Sequence, residues 1–193
     1  MKKLNILKQY LKPGEVYRRA DLAPWSRSVD RHLAELVEEG ALQKVSHGVY
    51  YAPKKTVFGT SAPDEETLVR TFLKDDRFLL TSPNAYNSLG VGTTQLYNER
   101  VVYNHKRHGE FNLGDRKFFF HQKPHFPKKL TEEFLLVDLV NNLDKLAEDT
   151  NTVLRNVFSK GKTMDTKRLK RSVKEYGSVK AKKILLPLFE ERQ

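Results

Sequence analysis

The sequence predicts an α+β protein with helices at both ends and most of its strands in the middle. Apolar residues recur with a helical period near the N-terminus and again after residue 131. Between residues 78 and 122, segments of strand-like composition are separated by glycine turns. A stretch at about 54–63, rich in proline, glycine and serine, has no apolar period and predicts a linker. These observations predict one domain over residues 1–53 and a second over 54–193.

Composition narrows the classes of protein that this chain fits. Its 193 residues are 38% hydrophobic and 31% charged, which is typical of a globular chain and excludes wholesale disorder. No apolar run approaches the ~18 residues of a membrane span, and the N-terminus is amphipathic, unlike a signal peptide. The absence of cysteine excludes disulfides and thiolate zinc sites. We therefore expect a cytoplasmic protein.

The chain is strongly basic, with a net charge of +11 and a pI near 9.7. Such an excess favours a polyanionic partner, nucleic acid above all. Residues 1–55 hold 11 basic and 6 acidic groups, whereas residues 155–183 hold 11 basic and 2 acidic groups. Two basic regions are therefore predicted, one towards each end. The plainer alternative is that the charge only keeps the protein in solution.

The first fifty residues begin with two short helices. "LNILKQYL" places three leucines on one helical face before Pro13–Gly14 ends the helix. Val16–Tyr17 is then a short extended link. "RRADLA" is long enough for a brief second helix with Leu22 facing inward, and Pro24–Trp25 makes a turn.

A third helix and a hairpin follow. Ser26 is a good N-cap, and Gly40 is a left-handed cap at the other end. Between them, one apolar stripe is formed by Val29, Leu33, Leu36 and Val37. "ALQKV", "SHG" and "VYYAP" are typical of strand, tight turn and strand. Three helices and a two-stranded hairpin in this order predict a winged helix-turn-helix.

The third helix carries its charges in the order that its dipole disfavours. Arg27 and Arg31 lie near its start, whereas three glutamates lie near its end. The reversal costs roughly a few tenths of a kcal/mol for each misplaced charge. In a winged helix-turn-helix the start of this helix enters the major groove, where one bidentate arginine–guanine contact contributes ~1–3 kcal/mol. We therefore interpret the two arginines as DNA contacts.

Two alternatives bear on this interpretation. Arg31 also stands one helical turn before Glu35, so a solvated ion pair explains its position equally well. The hairpin carries Lys44, and His47 beside the turn glycine Gly48, where a side chain can reach a phosphate or the minor groove. An isolated histidine is more often an ordinary turn residue. The ordered set of elements carries the prediction, not any single residue.

The second domain is predicted to be α/β, with a small antiparallel sheet and a C-terminal helical bundle. After a helix that ends near Leu73, strands are predicted at Phe78–Leu80, in "RVVYNH", and in a hairpin around Gly114–Asp115. "SPNAYNSLG" predicts a helix with Ser82 as its cap. "TEEFLLVDLVNNLDKL" is apolar over most of its circumference, which indicates a helix at the centre of a core.

The last helices predict a second basic face. It is formed by Lys167, Arg168, Lys170, Arg171, Lys174, Lys180, Lys182 and Lys183. Such a face fits non-specific phosphate binding to DNA or RNA, contact with an acidic protein, or simply a solvated surface.

Most of the chain resembles a known family. "GEVYRRADLAPWSRSVDRHLAELVEEGALQKVSHGVYYAP", "TSPNAYNSLGVGTTQ", the strand pair near "VVYNHK" and "KFFFHQ", and "MDTKRLKRSVKEYGSVKAKKILLPLF" are similar in order and spacing to the AbiEi-type antitoxins of bacterial type IV toxin–antitoxin systems. The resemblance implies a winged-helix repressor that binds inverted repeats in its own operon. A homodimer is one arrangement that would bind such repeats, and the sequence leaves the oligomeric state open. It also implies an antitoxin that opposes a nucleotidyltransferase-like toxin without requiring a stable complex.

The resemblance also implies site residues. By position, the bases would be read by Ser26, Arg27, Ser28 and Arg31. The DNA backbone would be touched by Arg18, Arg19, Lys44 and His47. Many members of the family have an arginine near the wing turn, where this chain has "KVSHG". A stand-alone DNA-binding regulator with the same fold stays an alternative.

Sites of other kinds are weakly indicated. The histidine pairs in "NHKRH" and "HQKPH" fall on strands or turns, where their spacing does not bring them together, so we expect no metal. No phosphate-binding loop and no cofactor are expected, and we predict no enzyme. A metal-dependent nuclease built from Glu99, Glu110, Asp115 and Lys117 is one alternative, and an RNA-binding module is another.

Overall fold

The computed structural model describes residues 3–189. The chain is α+β, with small antiparallel sheets and several helices towards the C-terminus. It forms two compact units: the described residues up to Asp76 together with Glu110–Phe118, and Arg77–Gly109 together with the described residues from Phe119 onward. The first unit therefore extends beyond residue 53, and the predicted boundary there stays a prediction. No helix within residues 3–189 is long and apolar enough to cross a membrane.

Three helices open the first unit. They are α1 (Lys3–Tyr10), α2 (Arg19–Leu22) and α3 (Val29–Glu38). They bury one face each, because Leu7, Leu22, Leu33 and Leu36 are at most 1% exposed. Gly40 ends α3 with a φ of +72°, the left-handed conformation that glycine adopts at little cost. The apolar stripes and the glycine cap are thus confirmed, except that Val37 remains on the exposed side.

The hairpin after α3 belongs to a sheet of three strands, not two. Its strands are β1 (Val16–Arg18), β2 (Gln43–Ser46) and β3 (Val49–Tyr51). Both β1 and β2 pair antiparallel with β3, which is the central strand. Val16–Tyr17 is extended as predicted, but the sequence did not predict its pairing with β3. Pairing across more than thirty residues leaves no mark on the local sequence pattern, so only the tertiary fold reveals it.

The predicted linker contains a small hairpin. Strand β4 (Lys55–Thr56) pairs with β5 (Gly59–Thr60), with Val57 and Phe58 at the turn, 93% and 98% exposed. The Tyr51 hydroxyl ties the base of the hairpin to the sheet by donating to the Ser61 carbonyl at 2.9 Å.

Helix α4 (Glu65–Leu73) completes the first unit together with the 110–118 hairpin. The Asp64 carboxylate accepts from the Thr67 amide at 2.8 Å and so caps α4. The two parts are joined by the Arg116 guanidinium, which lies 3.2 Å from Glu65, and by the Phe72 and Phe111 rings at 5.2 Å.

A four-stranded antiparallel sheet has the order β6-β7-β9-β8. Its strands are β6 (Phe78–Thr81), β7 (Arg100–Asn104), β8 (Gly109–Leu113) and β9 (Arg116–Gln122). The hairpin around Gly114–Asp115 is confirmed. In β9, Phe118 and Phe120 are fully buried and Phe119 is partly exposed, so the strand alternates. The predicted helix after Ser82 is a 3-10 helix, Pro83–Leu89, and Ser82 forms no side-chain cap.

The core of the second unit surrounds α5 (Glu132–Asn142). Every residue from Phe134 to Val140 is buried, which confirms the prediction of a central helix. Three helices pack with it: α6 (Thr150–Thr163), α7 (Thr166–Tyr176) and α8 (Val179–Leu185). The last of these gives way to a 3-10 turn at Leu186–Phe189, where Pro187 cannot continue an α-helix.

Truncating Leu36 tests the small core of the first unit. Its side chain is fully buried, so we expect Leu36→Ala to lower the free energy of unfolding by about 2–5 kcal/mol. The matched control is Val57→Ala at a fully solvated position of the same unit, where a change within about 0.5 kcal/mol is expected. Both are measured by denaturant titration, and equal losses would contradict the described packing.

Candidate nucleic-acid interface

The first turn of α3 and the turn of the β2–β3 hairpin are joined through Arg19. Its guanidinium makes two hydrogen bonds to the Asp30 carboxylate, at 2.5 and 2.6 Å. Its backbone amide donates to the Gly48 carbonyl at 2.8 Å. The hydrogen bond from Arg19 lowers the pKa of Asp30, so the pair stays ionised well below neutral pH. The start of α3 and the hairpin turn therefore flank the same residue.

Arg27, Ser28 and Arg31 lie exposed at this end of α3. The ion pair that sequence offered as the alternative role of Arg31 is also present, with Nε 3.6 Å from the Glu35 carboxylate. The Arg31 side chain nevertheless remains 70% exposed. Exposed pairs of this kind contribute about 0–1 kcal/mol, so a phosphate or a base edge can replace the carboxylate at little cost.

Ser26, which was predicted to cap α3 and to contact a base, is buried. It is 6% exposed, and its hydroxyl lies 2.7 Å from the His32 Nδ1 while accepting the Ser28 amide at 3.1 Å. Helix α3 begins at Val29 with Ser28 at the N-cap position, so the prediction of Ser26 as the cap was wrong. Because its hydroxyl is used inside the unit, Ser26 is not among the groups presented to a ligand.

The residues predicted to touch a DNA backbone fall into two kinds. Lys44 and His47 are exposed on the β2–β3 hairpin. Arg18, in contrast, is half-buried and clamped by Asp21, with Nε and Nη2 3.1 and 2.9 Å from the two carboxylate oxygens. Since Arg19 is held by Asp30 in the same way, a phosphate must compete with a carboxylate for either arginine.

The second basic face lies on the exposed side of α7 and on α8. Leu169 and Val173 face inward, and seven of the eight predicted cations are exposed, Lys182 being partly so. Some of these charges are balanced locally: Arg171 lies 3.4 Å from Glu175, and Lys180 lies 2.7 Å from Asp144. The face is a broad cationic surface on the second unit.

The structure brings together two pairs of the residues considered for metal or nuclease chemistry. Lys117 pairs with Glu110 at 2.6 Å, and Asp115 is exposed in the turn between β8 and β9. The rings of His108 and His121 are 5.6 Å apart. Within residues 3–189, no group of three or more histidines and carboxylates is placed to hold a metal ion.

The sequence analysis did not identify the roles of two residues in this region. Asp30 fixes Arg19, and the buried His32 fixes Ser26. A signal for His32 was present, because it falls three residues after Val29 on the apolar side of the helix. Asp30 offers only a general signal, an acid in the first helical turn, which does not identify an arginine eleven residues away as its partner.

Three comparisons place the chain among known proteins. The model of the family DUF6088, a family of unknown function, matches residues 12–171. The crystal structure of the Rv2827c protein from Mycobacterium tuberculosis is similar to this chain, with a TM-score of 0.58 and 16% identity, covering 97% of this chain and 74% of that one. At this identity the likeness shows the fold alone. None of the curated proteins matches the chain.

Replacing Ser26 distinguishes a structural role from one in base reading. In Ser26→Ala the buried His32 ring nitrogen loses its partner, so we expect the free energy of unfolding to fall by about 1–3 kcal/mol. The control is Ser28→Ala, which removes an exposed hydroxyl without a capping hydrogen bond and should change stability by less than about 0.5 kcal/mol. Denaturant titration measures both, and an unchanged Ser26→Ala would refute the buried hydrogen bond.

Proposed function

This chain belongs to DUF6088, a family of unknown function, and we propose that it is a transcriptional regulator that binds duplex DNA through a winged helix-turn-helix in residues 1–53. The observation that carries the proposal is the placement of the first turn of α3 and the β2–β3 turn on either side of Arg19. In this motif the helix enters the major groove and the hairpin contacts the neighbouring backbone. Both parts here carry exposed cations.

In the proposed complex, α3 is the recognition helix. Arg31 on its first turn, and Arg27 and Ser28 immediately before the helix, would contact base edges and phosphates. Ten residues give α3 a length of about 15 Å, so Glu38 and Glu39 at its other end lie away from the duplex. This separation accounts for the charge order of the helix. Arg31 leaves Glu35 when it meets DNA, and that exchange costs little because the pair is solvated.

The hairpin is the proposed wing. Lys44 lies on β2 and His47 at the turn, where both side chains reach solvent. Their contacts to phosphate would position the protein without selecting a sequence. Two copies of the chain would read an inverted repeat, with half-sites about one helical turn, ~10 bp, or a multiple of it apart.

The wider biological role is proposed from the sequence resemblance. On that basis the protein represses its own operon and opposes a nucleotidyltransferase-like toxin as an AbiEi-type antitoxin. The basic surface supports the repressor part, because operator binding requires exposed cations. The antitoxin part rests on the resemblance alone and needs its own test.

Removing either exposed arginine tests base reading by α3. Duplexes selected by the wild-type protein from a random-sequence library supply the specific site. We expect Arg27→Ala or Arg31→Ala to weaken binding to that site by about 5–150-fold, which corresponds to ~1–3 kcal/mol, and to relax discrimination at one base pair. Fluorescence anisotropy on the selected and scrambled duplexes measures both effects.

Two control variants separate base reading from contact with the DNA backbone. Lys8→Ala removes a cation that pairs with Glu39 at the far end of α3, so specific affinity should change only a few-fold. Lys44→Ala should weaken selected and scrambled duplexes equally and reduce the slope of log affinity against log salt by about one. The proposal fails if single-stranded RNA is preferred and binding depends on Lys167 but not on Arg27.

Co-expression tests the antitoxin role. A nucleotidyltransferase-like gene, where one lies beside the gene for this chain, is induced in a bacterial host with and without the protein. We expect the wild-type chain to restore growth. The variant Arg27→Ala, whose DNA binding is weakened, should restore growth equally when both genes are under independent promoters. The negative control is the empty vector. If toxicity persists with both the wild-type chain and Arg27→Ala, the antitoxin role is wrong and the protein is a stand-alone regulator.

A further inference from the structure

A cavity of about 320 Å³ opens on the second unit, in a place that DNA binding by α3 does not use. Its volume lies at the lower end of the ~300–1,000 Å³ that is typical of small-molecule sites. Aromatic rings dominate the wall, and a few polar groups converge on it. The residues that matter here are Tyr86, Tyr97, Tyr103, Phe119, His121 and Lys145.

Two tyrosines of the lining, Tyr86 and Tyr103, are held by a buried carboxylate, Asp138, which is 1% exposed. Tyr86 donates to it at 2.8 Å, and Tyr103 donates at 2.8 and 2.9 Å. The Asn142 amide donates at 3.3 Å. Burial, and after it the charge of Asp138, raises the pKa of both tyrosines, so both hydroxyls remain neutral donors. Two aromatic rings are thereby held in one orientation each.

The rim is held by hydrogen bonds from side chains. The segment between Gly90 and Arg100 has no helix or strand. Asn84 binds the Tyr97 backbone twice, with its amide donating to the carbonyl at 2.8 Å and its oxygen accepting the amide at 2.7 Å. Glu148 accepts the amides of Thr94 and Gln95, each at 3.1 Å. The Tyr97 hydroxyl accepts the Ala147 amide at 2.9 Å, so its ring is fixed at the mouth.

The polar groups of the cavity favour an anionic ligand with a polar ring. Lys145 is exposed at the mouth, with its ammonium 3.3 Å from the Asn142 oxygen. The Lys123 ammonium lies 4.4 Å from the centre of the Tyr103 ring. Burial first, and then Lys145 and Lys123, lowers the pKa of His121 to about 4, so its neutral ring offers one donor and one acceptor at pH 7. Glu99 is the exposed acid of the lining.

We propose that this cavity binds the planar base and the phosphate of a single nucleotide. The base would stack between the fixed tyrosines and Phe119, its polar edge would meet His121 and the side-chain oxygen of Asn142, and its phosphate would meet Lys145. A free mononucleotide and one unstacked nucleotide of a single strand present the same chemistry. The site lies in the second unit and therefore stands or falls separately from the proposed DNA binding.

Calorimetry with the full chain tests this site. The probes are the four ribonucleoside 5′-monophosphates and two fragments of adenosine 5′-monophosphate: adenosine, which lacks the phosphate, and ribose 5-phosphate, which lacks the base. We expect saturable 1:1 binding of at least one monophosphate, and weaker binding of either fragment. A hexanucleotide that binds more tightly than its own monophosphate identifies a strand as the source, and equal binding identifies the free nucleotide. Both results support the site.

Variants locate the binding. Phe119→Ala should weaken the monophosphate by about 5–150-fold through lost stacking. Lys145→Ala should weaken it about tenfold and leave adenosine binding unchanged, because only the phosphate contact is removed. The matched control Lys128→Ala removes an exposed lysine of the second unit that is outside the cavity lining, and it should change nothing. Lys145 is solvent-exposed, so that variant remains informative even if Phe119→Ala does not fold.

The proposal is overturned if none of the monophosphates or oligonucleotides binds at millimolar concentration. It is also overturned if binding occurs and Lys145→Ala leaves it unchanged. Weaker duplex-DNA binding in Arg27→Ala with intact nucleotide binding would separate the two sites, and that is the expected result.

Discussion

The ion pair between Arg19 and Asp30 is the contact on which the proposed interface depends. Arg19 follows β1 directly and its amide binds the β2–β3 turn, so its guanidinium connects the sheet to the start of α3. Most of the stability of this unit comes from buried leucines, which do not specify where the exposed turns point. A bidentate pair adds direction, because both hydrogen bonds require one relative orientation of the two side chains. The pair therefore orients the start of α3 relative to the sheet and adds little to the free energy of unfolding, because it is exposed.

The second unit has a comparable constraint, but a buried one. Asp138 on α5 gathers two tyrosines from the elements around it, and burial raises the pKa of this carboxyl although the tyrosine hydrogen bonds oppose the rise. A buried carboxylate is destabilising unless its oxygens are satisfied, and here three side chains donate to them. The buried Asp138 carboxylate has a function if it holds the rings of Tyr86 and Tyr103 in place for the proposed ligand. A purely apolar core would pack equally well without fixing hydroxyl positions.

Local sequence determined most of the elements, and the reasons are visible in particular residues. The leucines of α1 and α3 predicted the buried faces, and Gly40 and Gly48 predicted a helix cap and a tight turn, where they adopt φ values of +72° and +67°. The charge order of α3, which sets Arg27 and Arg31 apart from the glutamates, is a property of the sequence alone. These inferences succeeded because periodicity, capping and dipole effects act within a few residues, and the sequence records them directly.

Long-range partners were decided by the tertiary structure alone. The pairing of β1 with β3, the withdrawal of Ser26 towards His32, and the meeting of three tyrosines around one cavity join residues whose separation in sequence carries no signal. Each of these depends on which side chain the folded chain brings within hydrogen-bond distance, and that distance is a property of the packed molecule. The sequence by itself therefore determined the helices, turns and charges of this protein, whereas packing decided which of those groups are exposed to solvent and which are used to hold the fold.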